Sequence, residues 1–122
     1  SFILGKKIDD AIKRAKSYYK SGADAILIHS KEKTPKQIFE FSKIFNKFNY
    51  NCPLVAVPST YSKVRENELI KNGFKIVIYA NQLMRSSYPS ILETGKNILK
   101  YGRSYEEEKK ISPINEIIEL IK

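Results

Sequence analysis

The stretch DAILIHSKEKTPKQIFEF, residues 24–41, decides the predicted fold. Residues 24–29 form a short, largely apolar run that ends in the chain's one histidine, a pattern typical of a strand buried on both faces. The sequence Thr-Pro-Lys-Gln follows at residue 34 and predicts a helix start, because Thr34 can cap the helix, Pro35 suits its first turn and Gln37 completes a capping box. A buried strand followed at once by a helix indicates an α/β fold.

The rest of the chain repeats this alternation of helices and strands. Strands that alternate with helices predict a parallel sheet with right-handed crossovers. Gly22 predicts a left-handed stop for the first helix. Pro89 predicts a break in the fourth helix, because proline cannot donate a hydrogen bond to residue 85. The predicted segments are helix 9–21, strand 24–29, helix from 34, strand 53–57, helix 62–71, strand 74–80, turn 82–87, helix 88–100, polar loop 102–110 and a last helix from 112.

Composition limits the classes of protein to which this chain can belong. A chain of 122 residues with 42% hydrophobic and 29% charged residues is typical of one soluble globular domain. Its net charge of +9 is spread over every predicted helix and loop, which favours solvated faces over a nucleic-acid footprint. An attraction for small anionic substrates is compatible with either interpretation. No apolar stretch approaches the ~20 residues of a membrane span. The single cysteine, Cys52, fits a structural role in a reducing cytoplasm.

Polar side chains follow all three predicted strands. Carboxyl ends of parallel strands carry the chemistry in α/β folds, so these side chains are candidates for one functional rim. The alternative is structural, since strand ends meet polar loops and Ser, Thr and Asn also cap helices. The candidate rim residues are His29 as a base, with Ser30, Lys31, Ser59, Thr60 and Asn81 as substrate-binding residues.

Acidic residues are missing from these strand ends. A magnesium site needs clustered carboxylates, and no predicted strand ends in Asp or Glu. The run Glu106–Glu108 lies in a charged loop and is expected to be solvated. No Gly-rich phosphate loop follows any strand. The chain alone therefore predicts no metal ligands.

Three blocks of sequence resemble a known family. GADAILIHSK (22–31), PLVAVPSTYSK (53–63) and VIYANQLMRSS (77–87) are similar to the C-terminal half of phosphoenolpyruvate mutases, within the isocitrate lyase and phosphonopyruvate hydrolase superfamily. The resemblance implies a (β/α)8 barrel, which takes about 250 residues. Residues 1–122 would then supply the C-terminal half, with three strands, their helices and a terminal helix. Phe2-Ile3-Leu4 would be the tail of the preceding strand or its exit loop.

The resemblance also implies a function. It predicts an isomerase that moves the phosphoryl group of phosphoenolpyruvate from its enol oxygen to carbon 3, giving phosphonopyruvate. By the same resemblance, His29 is the catalytic residue and contacts the substrate. It implies Mg²⁺ held by acids outside this sequence, the N-terminal half of the barrel as a partner, and a homo-oligomer. The terminal helix, 112–122, is expected to exchange between subunits, with packing onto its own domain as the alternative. The segment alone is expected to be inactive.

Two other functions stay open. Phosphonopyruvate hydrolysis, or lyase chemistry on a 2-oxo or 2-hydroxy acid, belongs to the same superfamily. A non-catalytic, basic α/β binding module is the alternative of another class, although a flavodoxin-like domain usually has five strands and only three are predicted here.

Overall fold

The structure is a computed structural model that describes Gly5 and residues 7–121. The strand tail expected at Phe2-Ile3-Leu4 lies outside these residues. The chain divides into two compact units, one up to Ala80 and one from Asn81 on. No helix in the described part combines the length and the apolar character that crossing a bilayer demands. In chain order the elements are α1 (Ile8–Lys20), β1 (Ile26–Ile28), α2 (Lys36–Phe45), a short 3-10 helix (Asn46–Phe48), β2 (Leu54–Ala56), α3 (Glu66–Lys71), β3 (Phe74–Val77), α4 (Gln82–Tyr101) and α5 (Ile114–Glu119).

Helix α1 is amphipathic. Ala11, Ile12 and Ala15 lie on its buried face, at the spacing of one side of a helix. Gly22 then adopts a φ of +91°, a left-handed conformation that glycine tolerates without the Cβ penalty of other residues. The predicted stop at Gly22 is therefore confirmed, and it turns the chain toward β1.

The three strands of the first unit form one parallel sheet in the order β1-β2-β3, which confirms the predicted parallel sheet. Ile26 and Ile28 of β1 belong to the hydrophobic core that α1 and α2 build on one side of the sheet. Phe41 and Phe45 of α2 stack within this core with ring centroids 5.6 Å apart. Helices α1 and α2 thus share one buried core with the sheet.

The other side of the sheet is an apolar surface that is more exposed than the side facing α1 and α2. Because side chains alternate along a strand, Leu27 projects away from its neighbours Ile26 and Ile28. The pairing register aligns Leu27 with Val55 and Val55 with Ile76 across the three strands. Val55 is buried, whereas Leu27 is 53% exposed and Ile76 is 42% exposed. We call this row of Leu27, Val55 and Ile76 the open face.

The start of α2 differs from the prediction. The helix begins at Lys36, Pro35 occupies the position before it, and no side chain in the described region caps this helix. The predicted capping box at Thr34 and Gln37 is therefore wrong. The physical reason is competition, because the Gln37 side-chain oxygen accepts a hydrogen bond from the buried Ser30 hydroxyl instead.

Helix α4 also differs, since it runs without a break from Gln82 to Tyr101 and contains Pro89. The predicted break at Pro89 is wrong. Proline removes one backbone hydrogen bond, to the carbonyl of Arg85. Arg85 is exposed, so water can satisfy that carbonyl and the helix continues.

Glu107 in the second unit is buried, which contradicts the prediction that the Glu106–Glu108 run is solvated. Its side chain is only 2% exposed. The carboxylate accepts hydrogen bonds from Asn97 Nδ2 at 2.8 Å, Lys110 Nζ at 3.1 Å and Thr94 Oγ1 at 3.3 Å. These contacts fasten the loop after α4 to the helix itself, which is why a carboxylate in this charged run is covered.

Replacing Glu107 with Gln should weaken the fold at neutral pH and change how stability depends on pH. The hydrogen bond from Lys110 is the main cause that holds the pKa of Glu107 below its ordinary value of 4.5. A carboxylate with a lowered pKa stabilises the folded state above its unfolded pKa, and this contribution is lost as pH falls through the folded value. At pH 7 the free energy of unfolding should therefore be lower for Glu107→Gln than for wild type. This difference should narrow below pH 4.5.

Urea denaturation of the intact protein at pH 7 and at pH 3.5 measures this effect. Glu108→Gln is the matched control, because Glu108 is an exposed carboxylate in the same loop. A difference for Glu107→Gln that stays constant between the two pH values contradicts the prediction.

Candidate functional site

The carboxyl ends of β1 and β2 lie at the same edge of the sheet, because the two strands are parallel neighbours. His29 directly follows β1, and Ser59 and Thr60 follow β2 within four residues. A hydrogen bond joins the two ends directly, since Thr60 Oγ1 donates to the Ser30 carbonyl at 2.6 Å. The structure therefore brings His29, Ser30 and Thr60 together, while their contact with a substrate stays a prediction.

His29 sits at this edge as a half-buried side chain. Its Nδ1 atom is covered and makes no hydrogen bond to any residue that the structure describes. An imidazole has two ring nitrogens that can donate or accept, so an unused covered nitrogen is costly unless a ligand or water meets it. The side chain is thus available for an interaction that the described residues do not supply.

Tyr61 is a neighbour of His29 that the sequence prediction did not include among its site residues. Its ring is completely buried, with its centroid 5.9 Å from that of the imidazole and the planes tilted by 47°. Burial raises the pKa of the Tyr61 hydroxyl, and the nearby Val57 backbone partly opposes this rise. The hydroxyl makes no hydrogen bond of normal geometry within the described chain. A large aromatic residue in a strand-end segment of small polar residues is the signal that could have revealed it.

Ser30 has no exposed surface. Its hydroxyl donates to Gln37 Oε1 at 2.5 Å and accepts a hydrogen bond from the Glu32 backbone N–H at 3.1 Å. The side chain is therefore held between α2 and the loop that precedes it. Its predicted contact with a substrate stays a prediction, and its observed contacts are with the protein.

The other three predicted residues have fewer contacts. Lys31 is exposed next to Ser30, and Ser59 is half-buried, with its backbone N–H donating to the Val57 carbonyl at 2.8 Å. Asn81 belongs to the second unit, where it directly precedes α4. Its Oδ1 atom is covered and has no hydrogen-bond partner among residues 7–121 or Gly5.

Metal ligands and reactive thiols are the remaining chemical possibilities. Within the described residues, no group of three or more His, Cys, Asp or Glu side chains is arranged to hold a metal ion. The residues present therefore do not fit a Mg²⁺ site, which needs carboxylate oxygens. Cys52 is buried, with its Sγ 3.5 Å from the Ala23 carbonyl, and burial raises the pKa of its thiol. Such a thiol is a poor nucleophile, which favours the structural role.

Comparison with known proteins places the chain among relatives of one enzyme family. Residues 1–99 match the family model described as phosphoenolpyruvate phosphomutase. A phosphoenolpyruvate phosphomutase of Tetrahymena pyriformis is 35% identical over 98% of this chain and 39% of its own length. A phosphonopyruvate hydrolase of Variovorax sp. (strain Pal2) is also 35% identical, over 98% of this chain and 41% of its own length.

A solved structure of phosphonopyruvate hydrolase in complex with oxalate and Mg²⁺ aligns with a TM-score of 0.83 at 35% identity. The alignment covers 98% of this chain and 41% of that structure. The chain thus spans about two fifths of the length of the relatives that it matches. The family model covers most of the chain and the relatives align with nearly all of it, so this chain belongs to the phosphoenolpyruvate phosphomutase family.

Proposed function

We propose that this chain is the C-terminal part of a phosphoenolpyruvate mutase-type isomerase, which converts phosphoenolpyruvate into phosphonopyruvate. The observation that carries the proposal is His29, whose covered Nδ1 has no partner in the described chain, at the carboxyl edge of a parallel sheet. This edge is where α/β barrels hold their substrates. The segment alone is inactive in this proposal, because it supplies only one side of the site.

The reaction needs positioning and charge stabilisation more than acid–base work. The bond between phosphorus and the enol oxygen breaks, a bond between phosphorus and carbon 3 forms, and no proton is gained or lost. The transferring group resembles metaphosphate, with negative charge spread over its oxygens. Fixed hydrogen-bond donors stabilise such charge. We infer that His29 donates a hydrogen bond to a phosphoryl or carboxylate oxygen of the substrate.

Mg²⁺ belongs to this proposal as a partner of the whole protein. A related hydrolase structure contains Mg²⁺ and oxalate, a small dianion that resembles the carboxylate end of the substrate. The described residues offer no cluster of metal ligands, so we assign the ligands to acids outside this chain. When bound, the ion would neutralise charge on the small anionic substrate.

The exposed apolar surfaces support two protein partners. The open face needs the remaining strands of the barrel, and we propose that the N-terminal half of the same protein covers it. The terminal helix, 112–122, would pack on a neighbouring subunit of a homo-oligomer. Ile114 and Ile117 support this, since they are 68% and 47% exposed in the second unit. The buried free thiol of Cys52 fits a cytoplasmic location.

Phosphorus NMR of the intact protein with phosphonopyruvate and Mg²⁺ tests the proposal. A mutase converts the phosphonate signal into that of phosphoenolpyruvate, whereas a hydrolase releases inorganic phosphate. Hydrolysis is the second candidate because the Variovorax hydrolase and the Tetrahymena mutase are each 35% identical to this chain. Cleavage of a 2-oxo or 2-hydroxy acid without change of either phosphorus signal would indicate a lyase. An intact protein that acts on none of these compounds contradicts the proposal and favours a non-catalytic module.

A further inference from the structure

Ser30 lies at the centre of a hydrogen-bond network next to His29. Its hydroxyl contacts Gln37 at the start of α2 and the backbone of Glu32 in the loop. Its carbonyl accepts a hydrogen bond from the Thr60 hydroxyl at 2.6 Å. Three separate segments of the chain therefore hold the residue that follows His29.

This network lies where the sheet itself gives no support. The last paired residue of β1 is Ile28, which aligns with Ala56, so His29 is already beyond the ladder of the two strands. A strand end without ladder bonds is free to move unless other hydrogen bonds hold it. The bond from Thr60 replaces the missing ladder, because it ties the residue after His29 to the segment after β2.

We propose that Thr60 is a positioning residue that, through the Ser30 carbonyl, fixes the backbone that presents the His29 imidazole to the substrate. The inference rests on the proposed function for its catalytic consequence, and it replaces the substrate contact predicted for Thr60 with an indirect role. Small displacements of a catalytic group can cost up to about 100-fold in rate. Thr60 is an exposed residue, so the loss of its hydroxyl leaves the fold intact.

Thr60→Val removes the hydroxyl and keeps the shape of the side chain. In the intact protein its kcat should fall about 10- to 100-fold, with a much smaller change in KM, and Thr60→Ser should restore most of the loss. Thr34→Val is the matched control, because Thr34 is exposed and its side chain does not cap α2. Equal kcat values for Thr60→Val and Thr34→Val overturn the inference.

A double-mutant cycle separates positioning from a structural effect. If Thr60 acts through His29, Thr60→Val should have no further effect on the residual rate of the His29→Ala protein. Losses that multiply in the double variant overturn the inference, because they show that Thr60 acts independently of the imidazole.

Histidine ¹⁵N NMR of the intact protein reports on the surroundings of the His29 ring and does not depend on catalytic activity. The His29 ring signals, assigned from their loss in His29→Gln, should shift in Thr60→Val and stay in place in Thr34→Val. Unchanged His29 signals in Thr60→Val overturn the inference. If the wild-type protein turns over none of the tested compounds, the proposed function fails, while these spectra still decide whether Thr60 positions His29.

Discussion

Replacing His29 with alanine in the intact protein is expected to lower kcat by about 100- to 1,000-fold, the cost of removing one donor that stabilises transition-state charge. His29 is the residue at the carboxyl edge whose covered nitrogen has no partner within the described chain. Its loss leaves the core unchanged, because the imidazole is half-buried and its described ring contact is with Tyr61. Steady-state kinetics on phosphonopyruvate and phosphoenolpyruvate measure the effect, with the melting temperature as a check on folding.

His29→Gln separates hydrogen-bond donation from proton transfer. A glutamine amide can donate a hydrogen bond but cannot exchange a proton with the substrate. We expect His29→Gln to keep a substantial part of the activity that His29→Ala loses. Equal losses in the two variants would mean that donation is not the role of His29, and wild-type kcat in His29→Ala would remove the residue from the site altogether.

The sheet was predictable because its signals are local in the sequence. The apolar runs of β1, β2 and β3 alternate with helical patterns, and this order allows few topologies other than a parallel sheet. The strands are nevertheless shorter than predicted; β1, for instance, covers Ile26–Ile28 instead of residues 24–29. A strand ends where its pairing ends, and pairing depends on the neighbouring strand, which the hydrophobic pattern of one segment does not describe.

The features that the sequence did not reveal depend on partners distant in the chain. Gln37 fits a helix-capping pattern, but it pairs with Ser30, seven residues away. Glu107 belongs to a run of three acids, and only its three donors from α4 and the following loop explain why it is covered. The edge around His29 was inferred from strand order, whereas the hydrogen bond from Thr60 spans 30 residues and has no sequence signature.

Replacing Leu27 with aspartate is expected to destabilise the intact protein by about 3–5 kcal/mol, the cost of burying an unpaired charge. Leu27 is 53% exposed in this chain and lies on the open face. If the remaining strands of the barrel cover that face, the new carboxylate is enclosed among apolar side chains and far from water. If nothing covers it, the same substitution on an exposed site costs little.

Ile70→Asp is the matched control for this experiment. Ile70 is 56% exposed, nearly the same as Leu27, but it lies on α3, which in a barrel belongs to the outer ring of helices. Urea denaturation of the intact protein should show a loss of less than about 1 kcal/mol for Ile70→Asp and a several-fold larger loss for Leu27→Asp. Equal losses would contradict the proposal that the rest of the barrel covers the open face. The difference between two side chains of nearly equal exposure therefore tests whether the rest of a barrel encloses this sheet, and so whether His29 faces an enclosed pocket in the intact protein.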